Sequence, residues 1–229
     1  MSKAEGTGAS GLFVVLEGGE GVGKTTQWQR LAVALRTTGC EVVALREPGG
    51  TPAGDVLRSV LLDPRSELTA ESEALLFAAS RAQLVGAIIR PALDRGAVVL
   101  VDRFLLSTYA YQGAGRGLPM DALRETNRLA TGGLVPDVTL LLSLPLSDAM
   151  ARMEARGATD RLEQAGLEFH QRVQAAFELA STADWQHRHP DVGPVYSINA
   201  SGSLDEVTAR CLSQLAACFP TRFAGAMHG

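Results

Sequence analysis

The chain is 229 residues long, 46% hydrophobic and 20% charged, with a formal net charge of −4. These values fit a globular domain that buries a full core, and they exclude collagen-like, disordered and disulfide-scaffold classes. The acidic balance also argues against a protein held on nucleic acid by a basic surface.

In chain order, residues 1–10 read as a flexible N-terminal tail and residues 11–219 as one domain. Leu12–Leu16 is an apolar run of strand length, followed by a glycine-rich turn and a helical pattern over 24–38. A second run, Val42–Leu45, leads into the loop-like Arg46–Pro52 and helical patterns at 53–62 and 70–94. The third run, Ala97–Val101, stops at Asp102, and a loop-like Gly113–Pro119 precedes a helix at 119–131. Val138–Leu144 is the fourth run, followed by a helix at 146–156, a weak point at Arg156–Arg161 and a helix at 164–184. The last run, Val195–Ile198, precedes a helix at 204–217, and residues 220–229 read as a flexible C-terminal tail. Several runs are apolar on both faces, as buried parallel strands are. Strands alternating with helices predict an α/β fold: a five-stranded, doubly wound parallel sheet surrounded by helices, binding ligands at the carboxyl ends of its strands.

No apolar run approaches the ~20 residues a membrane span needs. The N-terminus carries no apolar signal core, and Cys40, Cys211 and Cys218 have no metal-ligand spacing. The expectation is a cytoplasmic protein with reduced thiols and no membrane partner.

Gly18-Gly19-Glu20-Gly21-Val22-Gly23-Lys24-Thr25-Thr26 follows the first strand and opens the first helix, matching G-x-x-x-x-G-K-[ST] in full. The glycines let the backbone turn its N–H groups toward phosphate oxygens, and the helix N-terminus adds positive potential. Lys24 is the only lysine beyond the N-terminal tail. It can reach the β- and γ-phosphates, and the Thr25 hydroxyl can ligate Mg²⁺. The loop fixes nucleotide binding but leaves three reaction classes open: phosphotransfer to a small molecule, a nucleotide switch, and an ATP-driven motor or transporter. With lysine only at positions 3 and 24, the guanine-reading N-K-x-D of a GTPase cannot occur. A motor strand ends in Asp or Asp-Glu, whereas Asp102 is followed by Arg103, a pairing closer to a kinase acceptor site.

Asp102 and Arg103 face the P-loop if the first and third strands are neighbours. A carboxylate near Mg²⁺ and a guanidinium gripping a transferring phosphate are their natural roles; a structural ion pair is the alternative. The next turn, Phe104–Gly113, is rich in small hydroxyls and aromatics, the chemistry a planar base needs. Upstream, Phe77 and Arg81 are i,i+4 on one helix face and can stack a base and bond its edge. Read alone, Phe77 fits core packing better.

Together and in order, these pieces resemble the thymidylate kinase family over about residues 12–217. The resemblance rests on the P-loop, Arg46-Glu47-Pro48-Gly49-Gly50-Thr51, Phe77-Ala78-Ala79-Ser80-Arg81, Asp102-Arg103-Phe104 with Ser107, and Ala110-Tyr111-Gln112-Gly113. It continues through Pro136-Asp137 to the segment Arg152–Glu163. It implies a P-loop nucleoside monophosphate kinase fold and transfer of the γ-phosphate of ATP to dTMP, giving dTDP and ADP for dTTP biosynthesis, with Mg²⁺ as cofactor. ATP would lie on residues 18–26 with Arg152 and Arg156, and Thr25 and Asp102 would serve the metal. Phe77 would stack on thymine, Arg81 would donate to an exocyclic oxygen, and Thr108 and Gln112 would address the N3 edge, with Ser107 in the same pocket. Arg58 and Arg103 would hold the monophosphate, with Glu47 on its flank and Glu20 near the sugar hydroxyl. Tyr111 would pack on the deoxyribose where a 2′-hydroxyl would collide. Phe104 stands where many relatives have Tyr or His.

Residues 150–163 resemble the family's lid, with Arg152 and Arg156 on one helix face. Some members carry a basic residue within the P-loop; here that position is Gly21. The chain therefore resembles the bacterial form, whose lid provides the arginine, and Arg156 beside the hinge-like Gly157 joins Lys24, Arg103 and Glu20 in the catalytic set. Because relatives are commonly homodimers, a homodimer is implied. Another nucleoside monophosphate or deoxynucleoside kinase is the competing enzyme reading. A regulatory module without catalysis is the other, disfavoured by the intact Lys24, Arg103 and lid arginines.

Overall fold

Five strands form one wholly parallel sheet: β1 Leu12–Glu17, β2 Val42–Arg46, β3 Val98–Asp102, β4 Val138–Ser143 and β5 Val195–Asn199. Their order across the sheet is β2-β3-β1-β4-β5. The computed structural model describes residues 11–157 and 160–223. The tail expected at 1–10, lid positions 158 and 159, and positions 224–229 lie outside the described residues.

The double-sided apolar pattern has a direct cause. Phe13, Val15, Val99, Val101 and Leu141 point into one core, while Leu12, Val14, Leu16, Leu100, Leu140 and Leu142 point into the other. Helices α1 (Lys24–Thr37) and α10 (Leu204–Cys218) cover the second face. The first face is covered by α3 (Ala70–Leu84), α4 (Arg90–Asp94), α5 (Leu105–Thr108), α6 (Met120–Thr131), α8 (Leu167–Ala180) and α9 (Ala183–Arg188). Between them lie α2 (Pro52–Leu62), packed on α3, and α7 (Leu146–Arg156), whose Ala149 joins the second core.

β1 and β3 are neighbours, with Leu16 opposite Asp102, and β2 pairs on the far side with Arg46 opposite Asp102. The P-loop, Arg46 and Asp102-Arg103 therefore emerge side by side at the carboxyl edge.

Four expectations are corrected. Leu105–Gly115, read as turn and loop, is helical: α5 continues into a π-helical turn over Tyr109–Gly115. The expected helix 164–184 starts at Leu167 and breaks after Ala180, where the Thr182 hydroxyl accepts the Trp185 N–H and starts α9. Pro220–Phe223 is a helical turn, α11, rather than loose tail, because Phe223 is buried in the second core. A fourth correction concerns the expectation that no apolar run approaches membrane length: Ala70–Asp94 is long and apolar enough, by length and composition alone, to cross a membrane. It packs on α2 and α6 and carries buried Glu73 and Arg81, as a core helix does.

Candidate active site

A cleft of about 820 Å³ opens at the carboxyl edge of the sheet. Its walls include Glu20, Lys24, Thr25, Arg46, Glu47, Arg58, Phe77, Arg81, Asp102, Arg103, Thr108, Tyr111, Gln112, Arg152 and Arg156. The cleft therefore gathers most of the residues that the motifs single out along the chain.

Lys24 is buried at the start of α1, and its ammonium donates to the Gly19 carbonyl. Burial, and then repulsion from Arg103, push the Lys24 pKa down to about 8, although Glu20 pulls the other way. The Thr25 hydroxyl donates to Asp102 Oδ2 at 3.3 Å. The other carboxylate oxygen, Oδ1, is buried and has no hydrogen-bond partner among the described residues. A hydroxyl beside an unsatisfied carboxylate oxygen suits a hard cation such as Mg²⁺ that takes its remaining ligands from phosphate and water. Among the described residues no cluster of three or more His, Cys, Asp or Glu could hold a metal alone.

Arg103 has φ of +72°, a left-handed conformation uncommon for a side-chain-bearing residue. The turn aims its guanidinium back across the P-loop, where Nη1 donates to the Gly18 carbonyl and to Ser107 Oγ, each at 3.1 Å. Nη2 pairs with Glu20, and the guanidinium lies over the Tyr111 ring, 5.0 Å from its centroid. The Tyr111 hydroxyl donates to the same Glu20 oxygen at 2.9 Å. Burial opposes the charge on Glu20, but Arg103 and then Lys24 hold its pKa down at about 2.

Glu17, which carries no role in the motif reading, anchors this turn. It is fully buried; Oε1 accepts the Phe104 and Ser107 N–H groups at 2.8 and 3.0 Å, and Oε2 accepts the Ser107 hydroxyl at 2.7 Å. It thus satisfies the N-terminus of α5, which has no cap of its own. Ser107 spends its hydroxyl on Glu17 and Arg103, so it positions the turn.

Arg58, half-buried on α2, donates to the Pro48 carbonyl at 2.9 Å. Burial and the nearby Arg46 lower its pKa, the sign of a site short of negative charge. Phe77 is partly buried and lines the cleft. Arg81 is almost wholly buried: it bonds Glu47 at 2.8 Å, Thr108 at 3.0 Å, Asn127 at 2.8 Å and the Phe104 carbonyl at 3.0 Å. Four of its five N–H groups are thereby engaged. Glu47 keeps a buried oxygen, Oε1, without a hydrogen-bond partner among the described residues. Burial raises its pKa to about 7 against the pull of Arg81. Asn127, on α6, was invisible to motif reading.

Arg152 and Arg156 project from the exposed face of α7 toward the cleft. Arg156 pairs with the buried Glu163, while Arg152 has neither hydrogen bond nor ion pair among the described residues. Gly21 explains why the P-loop carries no second basic side chain beside Lys24 at the position after Glu20. Its φ is +73°, and a Cβ there would stand 2.2 Å from the Ala149 carbonyl oxygen of α7.

Comparison with known proteins identifies the family. The family model described as thymidylate kinase matches residues 16–191. A thymidylate kinase of Deinococcus radiodurans is 53% identical over 169 residues, 74% of this chain and 82% of the relative. One from a Synechococcus strain is 48% identical over 216 residues, covering 93% of this chain and 98% of its own. The crystal structure of thymidylate kinase from Ehrlichia chaffeensis superposes with a TM-score of 0.69 at 28% identity, covering 90% of this chain and 99% of that one.

Proposed function

The chain belongs to the thymidylate kinase family, and from that premise we propose how its cleft divides the labour of the family's reaction. That reaction is transfer of the γ-phosphoryl of ATP to dTMP, giving dTDP and ADP. A dTMP phosphate oxygen attacks the γ-phosphorus in line, and the bond to the β-phosphate oxygen breaks. The attacking oxygen is already ionised near neutral pH, so no general base is required. Catalysis reduces to positioning and charge neutralisation.

Residues 18–26 cradle the ATP phosphates, and Lys24 spans the β- and γ-groups. Arg103 and Arg58 hold the acceptor phosphate, with Glu47 on the flank, and Glu20 takes the sugar hydroxyl while fixing Arg103 and Tyr111. Phe77 stacks on thymine, the remaining Arg81 N–H meets an exocyclic oxygen, and Thr108 and Gln112 address the N3 edge. Thr25 and Asp102 would hold Mg²⁺, which when bound offsets charge between the β- and γ-phosphates. Arg156 leaves Glu163 on lid closure and meets the moving phosphoryl, with Arg152 beside it.

The observation that carries this reading is the meeting of Lys24, Glu20 and Arg103: a phosphate-binding lysine within the field of an arginine that a neighbouring strand aims at the same loop. Steady-state ADP formation with dTMP, dUMP, dCMP, AMP or GMP as acceptor tests it. dTMP should give the highest kcat/KM, and a preference for AMP or GMP would sink it.

The reading extends to a cytoplasmic homodimer. Val56 and Val60 on α2, Leu75 on α3 and Leu129 on α6 are exposed on three helices that pack in succession, a face a second copy can cover. Sedimentation of Leu129→Glu against the native chain checks this: the variant should shift toward monomer.

A further inference from the structure

Glu73 is a charged residue of α3 with 1% exposure, and it lies outside the machinery described above. Its Oε1 accepts Gln112 Nε2 at 2.8 Å and Arg116 Nε at 3.3 Å. Its Oε2 meets Arg116 Nη2 at 3.0 Å and pairs with Arg161 at 2.7 Å. Hydrogen bonds from Arg116 and Gln112 overcome burial and lower its pKa, keeping the carboxylate ionised.

An ionised carboxylate can only accept. The Gln112 atom facing Glu73 must therefore be the NH₂ group, and the amide has two ends. Gln112 is itself 2% exposed and lines the cleft. Its Oε1, which has no partner among the described residues, is left as the end available to a ligand. Thymine and uracil carry a donor at N3; cytosine carries a lone pair there. An amide locked with its oxygen toward the base accepts from the first two and repels the third.

We propose that Glu73 is a specificity-determining positioning residue: by fixing the Gln112 amide, it makes the cleft accept an N3–H base and reject cytosine. The inference rests on the placement of Gln112 at the base edge. It separates Glu73 from Arg81, which reads a different atom of the ring. It also assigns a reason for burying a carboxylate beside two arginines, at a cost that a neutral side chain would avoid.

The test is the ratio of kcat/KM for dTMP to that for dCMP, measured in the native enzyme, Glu73→Gln and Gln112→Leu. In Glu73→Gln the partner can donate as well as accept, so the Gln112 amide is free to flip. The expected ratio falls by about tenfold or more, the scale of one mispaired buried polar contact. Gln112→Leu should lower the ratio similarly, and combining the two should lower it no further. A merely structural role for Glu73 would reduce both substrates in proportion and leave the ratio unchanged, overturning the proposal while the Gln112 reading stands. A Gln112→Leu ratio equal to native would instead show that Gln112 does not read the base, and both would fall. Should Glu73→Gln not fold, Glu73→Asp retains the charge, and dTMP selectivity lost by more than about threefold in it would count against the orientation argument.

Discussion

Glu20 holds two residues through one oxygen: Oε1 pairs with the Arg103 guanidinium and accepts the Tyr111 hydroxyl at 2.9 Å. The arginine is thus fixed before any acceptor arrives, in a backbone conformation with φ of +72° that is otherwise unfavourable. Preorganised charge of this kind contributes most where the reaction needs no proton abstraction. Glu20→Gln should lower kcat/KM for dTMP by at least about tenfold, because a neutral amide holds Arg103 more weakly. ATP affinity, read by equilibrium titration, should change little. Unaltered dTMP kinetics would remove Glu20 from the site.

Lys24 gives the enzyme a pH limit. With its pKa down at about 8 in the free protein, the ammonium loses its proton as pH rises through that value. kcat/KM for ATP should therefore fall above pH 8. Bound phosphates favour the charged form, so kcat should persist to higher pH. The effect on stability has the opposite sign. Between about 8 and the ordinary lysine value of 10.5, the unfolded chain holds a proton that the native state has lost. Stability from this group therefore rises with pH across that window. A kcat/KM profile flat to pH 9.5 would contradict the placement of Lys24.

Acceptor preference should run dTMP, dUMP, dCMP. The thymine methyl fills apolar space worth about 1 kcal/mol. Cytosine reverses the donor and acceptor pattern at N3 and position 4, facing Arg81 with a donor where its one remaining N–H requires an acceptor. Equal efficiency for dCMP and dTMP, in steady-state assays, would rule out this base pocket.

Arg156 has the exposure and tether of a residue that moves: its side chain is 57% exposed while its partner Glu163 is 6%. Gly21, pressed against Ala149, leaves the P-loop with no cation besides Lys24 to take the place of Arg156. Arg156→Ala should lower kcat by at least about a hundredfold, since an arginine on the transferring phosphoryl contributes ~10³–10⁵. Affinity for dTMP should be nearly unchanged, and Arg152→Ala should cost less. An Arg156→Ala variant that weakens dTMP binding and spares kcat would exclude the lid arginine.

The P-loop and Asp102-Arg103 were legible because each is a short consecutive run whose chemistry depends on neighbours in sequence. β1, β3 and β4 were legible because burial on both faces writes an apolar run, while the edge strands β2 and β5, only partly buried, showed as shorter runs placed by the alternation with helices. Glu17, Glu73 and Asn127 were not, since each acts on partners far along the chain: Glu17 on Phe104 and Ser107, Glu73 on Gln112, Asn127 on Arg81. The same cause hid the helix over Leu105–Gly115. Its N-terminus is satisfied by Glu17 from another strand rather than by a local cap, and Gly113 and Gly115 read as loop. Both glycines instead admit close packing, against Met120 and Phe169.

The most direct measurement is dTMP-dependent ADP formation by folded Lys24→Ala beside the native enzyme, with dTMP affinity measured at equilibrium on both. Loss of turnover by about two to four orders of magnitude, with dTMP binding retained, is the expected result if, as proposed, Lys24 neutralises transferring charge while Arg103 and Arg58 hold the acceptor. Near-native turnover by that variant would contradict phosphoryl transfer at this P-loop.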